Sequence, residues 1–353
     1  MAGQREKGWN IMEKADLNYS ELSFGYLKTD RNYRCVFKDD AWGEPEMSES
    51  EYITMHISAC CLHYGQLIFE GLKVYERPDG KAQAFRVEEN AKRFIRSAEK
   101  LLMEPVTVQM FKDAVWMTVN ANRRFVPPHG QGATMYVRPF EMGTGVQLGV
   151  NPSNEYTFMV FVSPVGPYYK GKGLSTVNLV VERDIERAAP HGTGNIKCAG
   201  NYAAGLSATI PAKKKGFSEV LYLDSVEKRF IDESGSSNFF GITKDGTYVT
   251  PASSSILPSI TNMSIKQIAR DKGIKVEERP VDVKELKDFA EAGAVGTAAV
   301  ISPIGSITDN GEKIVFGDGQ NPGPITTELY NTLTAIQNGL VEDPYGWTEI
   351  IPE

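Results

Sequence analysis

The chain has 353 residues, enough for two domains of about 100–200 residues each, with room for a sizeable core. A hydrophobic share of 41% and a charged share of 24% are those of an ordinary soluble globular protein, and no apolar run reaches the ~20 residues of a membrane helix. A net charge of −7, with Lys213-Lys214-Lys215 as the one basic run, argues against a nucleic-acid partner.

Residues 1–18 mix charge with few apolar side chains and match neither a signal nor a transit peptide. The polar, aromatic arm up to about residue 30 is expected to lie over another surface. Alternation in Tyr33-Arg34-Cys35-Val36-Phe37 predicts a strand, and Trp42-Gly43-Glu44-Pro45 a turn. Residues 63–75 read as a strand or short helix followed by a strand. Ala91, Phe94, Ile95, Ala98, Leu101 and Leu102 fall at helical intervals and predict an amphipathic helix over 88–103. Phe111, Ala114, Val115 and Val119 predict a second one. β-Branched and aromatic content predicts strands at 134–138 and 156–163. Pro164-Val165-Gly166-Pro167 then stops regular structure, and the loop continues through 170–172. A domain boundary is expected here, giving 1–170 and 171–353 with a linker at about 164–175.

The second half alternates again. A strand at 176–182 precedes a glycine-rich loop, and Ala203, Leu206, Ser207 and Ile210 then predict a helix. Strands follow at 219–224 and across 230–250. A helix begins near Thr261, turns Ile265, Ile268 and Ala269 inward, and closes at Gly273. A strand at 275–279, a short helix at 283–290, a strand at 294–301 and a helix at 328–337 complete the chain. Mixed elements in this order indicate two α/β or α+β domains, and periodicity alone does not give their topology.

Four cysteines, Cys35, Cys60, Cys61 and Cys198, have neither CxxC spacing nor a disulfide framework, so a reduced, cytoplasmic chain is expected. The four histidines have no metal-ligand spacing, and no metal is expected. Gly143-Thr144-Gly145 with Gly149 misses the dinucleotide pattern by one place, and Gly171-Lys172-Gly173 lacks the upstream glycine of a phosphate loop.

The most informative stretch is Gly192-Thr193-Gly194-Asn195-Ile196-Lys197-Cys198-Ala199-Gly200-Asn201-Tyr202. Its glycines permit tight bends and close approach of a ligand, and Lys197 lies where the loop enters a helix. This segment resembles the cofactor-lysine segment of the branched-chain aminotransferases. Glu233-Ser234-Gly235-Ser236-Ser237-Asn238-Phe239-Phe240 resembles the class IV aminotransferase signature, which Ile256-Leu257-Pro258-Ser259-Ile260-Thr261 continues. Tyr136-Val137-Arg138-Pro139, Phe69-Glu70-Gly71-Leu72-Lys73 and Ser163-Pro164-Val165-Gly166-Pro167-Tyr168 are similar to the longer members, and the likeness runs from about Gly65 to Trp347.

The resemblance implies a two-domain fold like that of D-amino acid aminotransferase (fold type IV). A small N-terminal domain would carry pocket wall and dimer contacts, and a larger C-terminal domain would hold pyridoxal 5′-phosphate. It implies transamination of leucine, isoleucine and valine with 2-oxoglutarate, by a homodimer that acts on small amino acids and 2-oxo acids. Lys197 would bind the cofactor covalently and, once freed, shuttle the proton. Glu233 would face the ring nitrogen and Tyr202 the ring hydroxyl, with Leu257 on the ring face. Ile260 and Thr261 at a helix start, Arg93 and Thr297 would hold the phosphate. Thr261 could also cap that helix.

Tyr64, Phe69 and Tyr136 resemble the aromatic wall of the substrate pocket, with Val150 expected from the partner subunit. Arg138 would meet the side-chain carboxylate of glutamate, since a guanidinium binds it in two-pronged fashion. Ala298 would offer an amide to the α-carboxylate, Tyr168 lies near the entrance, and Ser236 stands where some members have threonine. Departures are informative too. The redox CxxC of the mammalian members is replaced by Ala299 and Ser302, and Ser259 replaces a glycine and is expected to stiffen the phosphate turn. A D-amino acid aminotransferase or an aminodeoxychorismate lyase of the same fold is the alternative.

Overall fold

The computed structural model describes residues 13–168 and 174–353, so the expected loop at 170–172 lies outside the described residues. The chain builds two sheets. The first contains β1 (Asn32–Lys38), β2 (Ala41–Trp42), β3 (Glu46–Ser48), β4 (Leu67–Phe69), β5 (Leu72–Glu76), β6 (Ala82–Phe85), β7 (Thr134–Gly143) and β8 (Tyr156–Val165). Every pairing in it is antiparallel, as short turns between consecutive strands allow. A short helix α1 (Cys60–Tyr64) precedes β4, and α2 (Val87–Lys100) and α3 (Val108–Ala121) cross between β6 and β7.

These two helices form where the apolar spacing predicts them. They bury Phe94, Ala98, Phe111 and Val115 against Phe158 and Val160 of β8. Thr107 caps α3 by accepting the Met110 amide at 3.1 Å.

The second sheet contains β9 (Val177–Glu182), β10 (Glu219–Leu223), β11 (Ile231–Ser234), β12 (Ser237–Thr243), β13 (Tyr248–Pro251), β14 (Val276–Arg279), β15 (Phe289–Gly296), β16 (Val300–Asp309) and β17 (Glu312–Val315). The order β11-β10-β9-β16-β15-β12 closes on itself because β11 also pairs β12, so these strands form a barrel around Leu179, Leu221, Phe239 and Ile307. Helices α4 (Gly200–Ala204) and α5 (Leu206–Lys214) follow the lysine loop, and α6 (Ile260–Asp271) and α7 (Pro324–Gln337) cover β15 and β16.

One sequence expectation fails here. The strand expected at 294–301 is two strands, joined by a turn at Thr297, Ala298 and Ala299, with Val300 at φ 64°. Small apolar residues on both sides concealed that turn.

The chain then returns. β18 (Thr348–Ile350) adds to β6 at the edge of the first sheet, across the division expected at residue 170. Tyr75 and Phe85 of the first sheet share a core with Phe240, Ile265, Leu329 and Leu333 of the second half, so the two sheets are packed together. The lysine loop lies at that junction.

Candidate active site

Lys197 is fixed by its backbone. The loop adds to β4 through an Ile68–Cys198 bridge, with the Phe69 amide donating to the Lys197 carbonyl at 3.0 Å and the Ala199 amide to Leu67 at 3.0 Å. The Lys197 amide donates to Ser97 Oγ at 3.1 Å, which ties the loop to α2. Asn201 closes the loop from within, donating to the Thr193 and Ile196 carbonyls at 2.7 and 3.0 Å. Gly194 is required by contact: a Cβ there would stand 2.2 Å from the Ser255 carbonyl oxygen. The Lys197 amine donates to the Tyr202 hydroxyl at 2.7 Å and sits 4.8 Å from the Phe69 ring centroid.

Glu233, on β11, is buried and accepts from the Leu257 amide at 3.1 Å and from Asn238 Nδ2 at 2.8 Å. It also pairs with Arg187, whose side chain is 8% exposed and which sequence reasoning missed. No local pattern marks Arg187, because only the tertiary fold brings it to β11. Burial pushes the Glu233 carboxyl above its ordinary range, against the opposing pull of Arg187, Leu257 and Asn238.

Arg93, on α2, is buried and engaged with Glu70, donating from Nε at 2.6 Å and Nη2 at 2.9 Å. Its Nη1 donates to the Pro258 carbonyl at 2.9 Å. A guanidinium has five N–H donors, so two remain for an anion. Pro258 leads into α6, whose cap is Ser259: its hydroxyl accepts the Asn262 amide at 3.1 Å. Thr261 therefore does not cap the helix, which corrects that structural reading. Ser259 stands where the capping position requires a side-chain acceptor. The amides of Ile260 and Thr261 are left at the helix start without an intrahelical acceptor, as a helix N-terminus dictates.

One side of the cavity is aromatic. Tyr136 stands over Gly71, where a Cβ would come within 1.9 Å of the Tyr136 hydroxyl. Arg138 Nη2 donates to that hydroxyl at 3.3 Å, and its guanidinium lies 4.8 Å from the Phe69 ring centroid. The Arg138 Nε is buried with no hydrogen-bond partner among the described residues. Phe24, from the N-terminal arm, stacks edge-on to both Tyr136 and Tyr168 at 5.1 Å. Sequence reasoning placed the arm over a surface but did not single out Phe24.

One cavity of 380 Å³ is lined by Arg93, Lys197, Tyr202, Glu233, Leu257, Ile260 and Thr297, and by Phe69, Tyr136, Arg138, Tyr168, Ser236 and Ala298. Thr261 lies behind it, on a narrow crevice that it shares with Thr297. Tyr64 and Val150 are not among its lining residues. Tyr64 is partly exposed, with its hydroxyl on the Leu148 carbonyl, and Val150 is 80% exposed.

The arrangement combines a half-buried amine, a buried carboxylate and a helix start in one cleft. A model of the class IV amino-transferases matches residues 67–307, which span this cleft. The branched-chain-amino-acid aminotransferase of Haemophilus influenzae is 44% identical over 338 residues, 94% of this chain and 98% of that protein. The chain belongs to the class IV branched-chain-amino-acid aminotransferases. The chloroplastic branched-chain amino acid aminotransferase 2 of Humulus lupulus is 45% identical, over 96% of this chain and 82% of that protein. Among solved structures, the Escherichia coli branched-chain amino acid aminotransferase superposes with a TM-score of 0.78 at 27% identity, covering 92% of this chain and 100% of that one. The T.th. enzyme, solved with pyridoxamine 5′-phosphate, gives 0.77 at 26% identity over 93% and 100%. As in those relatives, the fold of this aminotransferase is the two-domain fold type IV.

Proposed function

We propose that the cavity holds pyridoxal 5′-phosphate and that the enzyme transaminates L-leucine, L-isoleucine and L-valine with 2-oxoglutarate. The observation that carries this reading is the convergence of Lys197, Tyr202, Glu233 and the start of α6 with Arg138 on one 380 Å³ cavity. The donor set fits the cofactor. The open N–H groups of Ile260 and Thr261, the Thr297 hydroxyl and the two remaining Arg93 donors would hold a phosphate. Glu233 would accept from a protonated ring nitrogen, with Arg187 and Asn238 fixing its orientation. Tyr202 would meet the ring hydroxyl and Leu257 the ring face. When bound, the cofactor supplies the electron sink for the pair left at the substrate's Cα.

Lys197 is the catalytic residue of this reading, because its amine would carry the proton to and from Cα. Tyr202, at 2.7 Å, orients that amine. Phe69 and Tyr136 offer an apolar wall to the aliphatic chain. An apolar wall separates neighbours differing by one methylene by only ~10–200-fold, so all three branched substrates are accepted. Arg138 would bind the second carboxylate of glutamate, using the Nε that has no partner in the described chain. Ala298 would present its amide to the α-carboxylate, with Ser236 beside it and Tyr168 near the entrance.

Tyr64 and Val150, absent from the lining of their own cavity, would complete the site of a second copy, which would make the active unit a homodimer. The division into 1–170 and 171–353 then puts the pocket wall mainly on the first unit and the cofactor site on the second. The four free thiols, Cys35, Cys60, Cys61 and Cys198, suit a reducing cytoplasm. No described helix is long and apolar enough to cross a membrane.

Steady-state assays of the cofactor-loaded enzyme test the substrate assignment. Turnover of L-leucine, L-isoleucine and L-valine with 2-oxoglutarate, and none of D-alanine, is expected. Use of D-alanine with no use of L-leucine would overturn it.

A further inference from the structure

A second cavity, of 510 Å³, lies beside the first and shares Tyr168 and Ala298 with it as walls. It is larger than the candidate active site, and none of the roles assigned above uses it. Two polar groups on its wall have unmet hydrogen-bonding capacity. Lys73, on β5, is buried and donates to the Ala298 carbonyl at 2.7 Å, yet forms no ion pair among the described residues. An ammonium has three donors, and an isolated buried cation is costly. Burial accordingly pulls the Lys73 amine down to about 8. Gln337, on α7, is 4% exposed, and its side-chain oxygen accepts no hydrogen bond among the described residues.

Lys73 and Gln337 also line the narrow crevice that holds Thr261 and Thr297, so the two groups flank one place behind the candidate phosphate site. The other charged group on the cavity wall, Glu76, is paired with Lys14 and accepts from the His129 amide at 3.4 Å. It therefore does not neutralise Lys73. The remaining walls include Pro127, Val300, Ile301 and Leu340, which are apolar.

A cation, an open acceptor and an apolar wall are the complement of a carboxylate, an ammonium and an aliphatic chain. We propose that this cavity is a second binding site for a small aliphatic carboxylate, with preference for the α-amino acid, and that it acts on the active site through Lys73 and the Ala298 carbonyl. The ligand carboxylate takes the Lys73 amine, its ammonium donates to Gln337, and the chain lies on the apolar wall. A bound carboxylate competes with the Ala298 carbonyl for the Lys73 amine, which weakens that hydrogen bond and loosens the turn that carries Thr297 and Ala298. Occupancy therefore lowers kcat.

The binding test uses holoenzyme reduced with sodium borohydride, which fixes the cofactor to Lys197 and stops turnover. Retention of the cofactor absorbance after dialysis checks that premise separately. Equilibrium dialysis with labelled L-leucine should then find saturable binding near one per chain. Gln337→Leu should weaken it about tenfold, the effect of losing a hydrogen bond to a charged group, and Ser302→Phe should abolish it by filling the cavity. 4-Methylpentanoate, which lacks the ammonium, should bind the wild type more weakly and be indifferent to Gln337→Leu. In unreduced enzyme at saturating 2-oxoglutarate, excess L-leucine should lower its own turnover about fivefold, the worth of one net hydrogen bond, and should not do so in Ser302→Phe. Absence of saturable binding, or binding unchanged by both substitutions, overturns the site. Turnover that saturates with leucine and shows no such decline in the wild type overturns the coupling.

Discussion

Replacing Arg93 by methionine removes the cation that faces a fully buried carboxylate. Glu70 is 0% exposed and accepts from Arg93 at 2.6 and 2.9 Å. In the variant the direct donors left to it are Asn90 at 2.8 Å and the Gly71 amide at 3.1 Å. Breaking a buried pair from one side costs roughly 3–5 kcal/mol, because the other charge stays buried. Adding Glu70→Gln removes that charge while an amide oxygen can still accept from Asn90 and Gly71. The double variant should therefore regain at least ~2 kcal/mol relative to Arg93→Met.

The pair also carries a pH signature. Burial raises the Glu70 carboxyl, but the charge and hydrogen bonds of Arg93 outweigh it and hold the group below its ordinary 4.5. The pair's stabilisation is thus present above that value and is lost as pH falls through the folded-state value. Without Arg93 burial prevails, and Glu70 takes up a proton on folding. The stability gap between wild type and Arg93→Met should then narrow as pH falls toward 4.5, by up to about 1.4 kcal/mol per unit. Urea unfolding of both apoproteins at pH 5 and pH 8, followed by tryptophan fluorescence, measures it. A gap below about 1 kcal/mol at pH 8, or one that does not narrow in acid, would refute the reasoning.

Lys73 gives the same pH sign in a higher window. Its amine is held at about 8 when folded against an ordinary 10.5, so folding penalises its charged form below 8, and stability rises with pH between those values. Lys73→Met should remove that rise, worth about 3 kcal/mol over the window, as read from urea midpoints at pH 7.5 and 10. Arg138→Met should lower kcat/KM for glutamate about 10- to 100-fold, the loss of a charge-assisted hydrogen bond, while sparing leucine. Equal losses for the two substrates would exclude the side-chain carboxylate role. Ser259→Ala should cost about 1 kcal/mol through loss of the α6 cap, measured by thermal unfolding of the apoprotein. Thr261→Val should leave that cap intact.

The sequence made the local elements legible where side-chain periodicity is strong, as in α2, α3 and α6. It also marked Lys197, Tyr202 and Glu233, because several short motifs stand in one order along the chain. It could not reveal contacts made only by tertiary packing. Arg187 reaches Glu233 from a loop with no pattern, and Glu70 engages a guanidinium on a different element. The turn at Thr297 was hidden by a continuous run of small apolar residues. Phe24 lies in an arm whose composition gives no register. Tyr64 is aromatic and sits near the Phe69 motif in sequence, but its hydroxyl goes to the Leu148 carbonyl and it does not line its own cavity. The closure of the barrel by β11 on β12, and the return of β18 to β6, depend on pairings between distant segments that no local pattern encodes.

The central claim is that Lys197 is the cofactor lysine of a leucine-using aminotransferase. The most direct measurement is the absorption spectrum of the enzyme reconstituted with pyridoxal 5′-phosphate, taken before and after L-leucine and then 2-oxoglutarate, beside Lys197→Ala. The account predicts a yellow protein whose band is lost with leucine and returns with 2-oxoglutarate, and a variant that does not cycle. A wild-type protein that stays colourless with the cofactor, or a Lys197→Ala variant that cycles like the wild type, would contradict it.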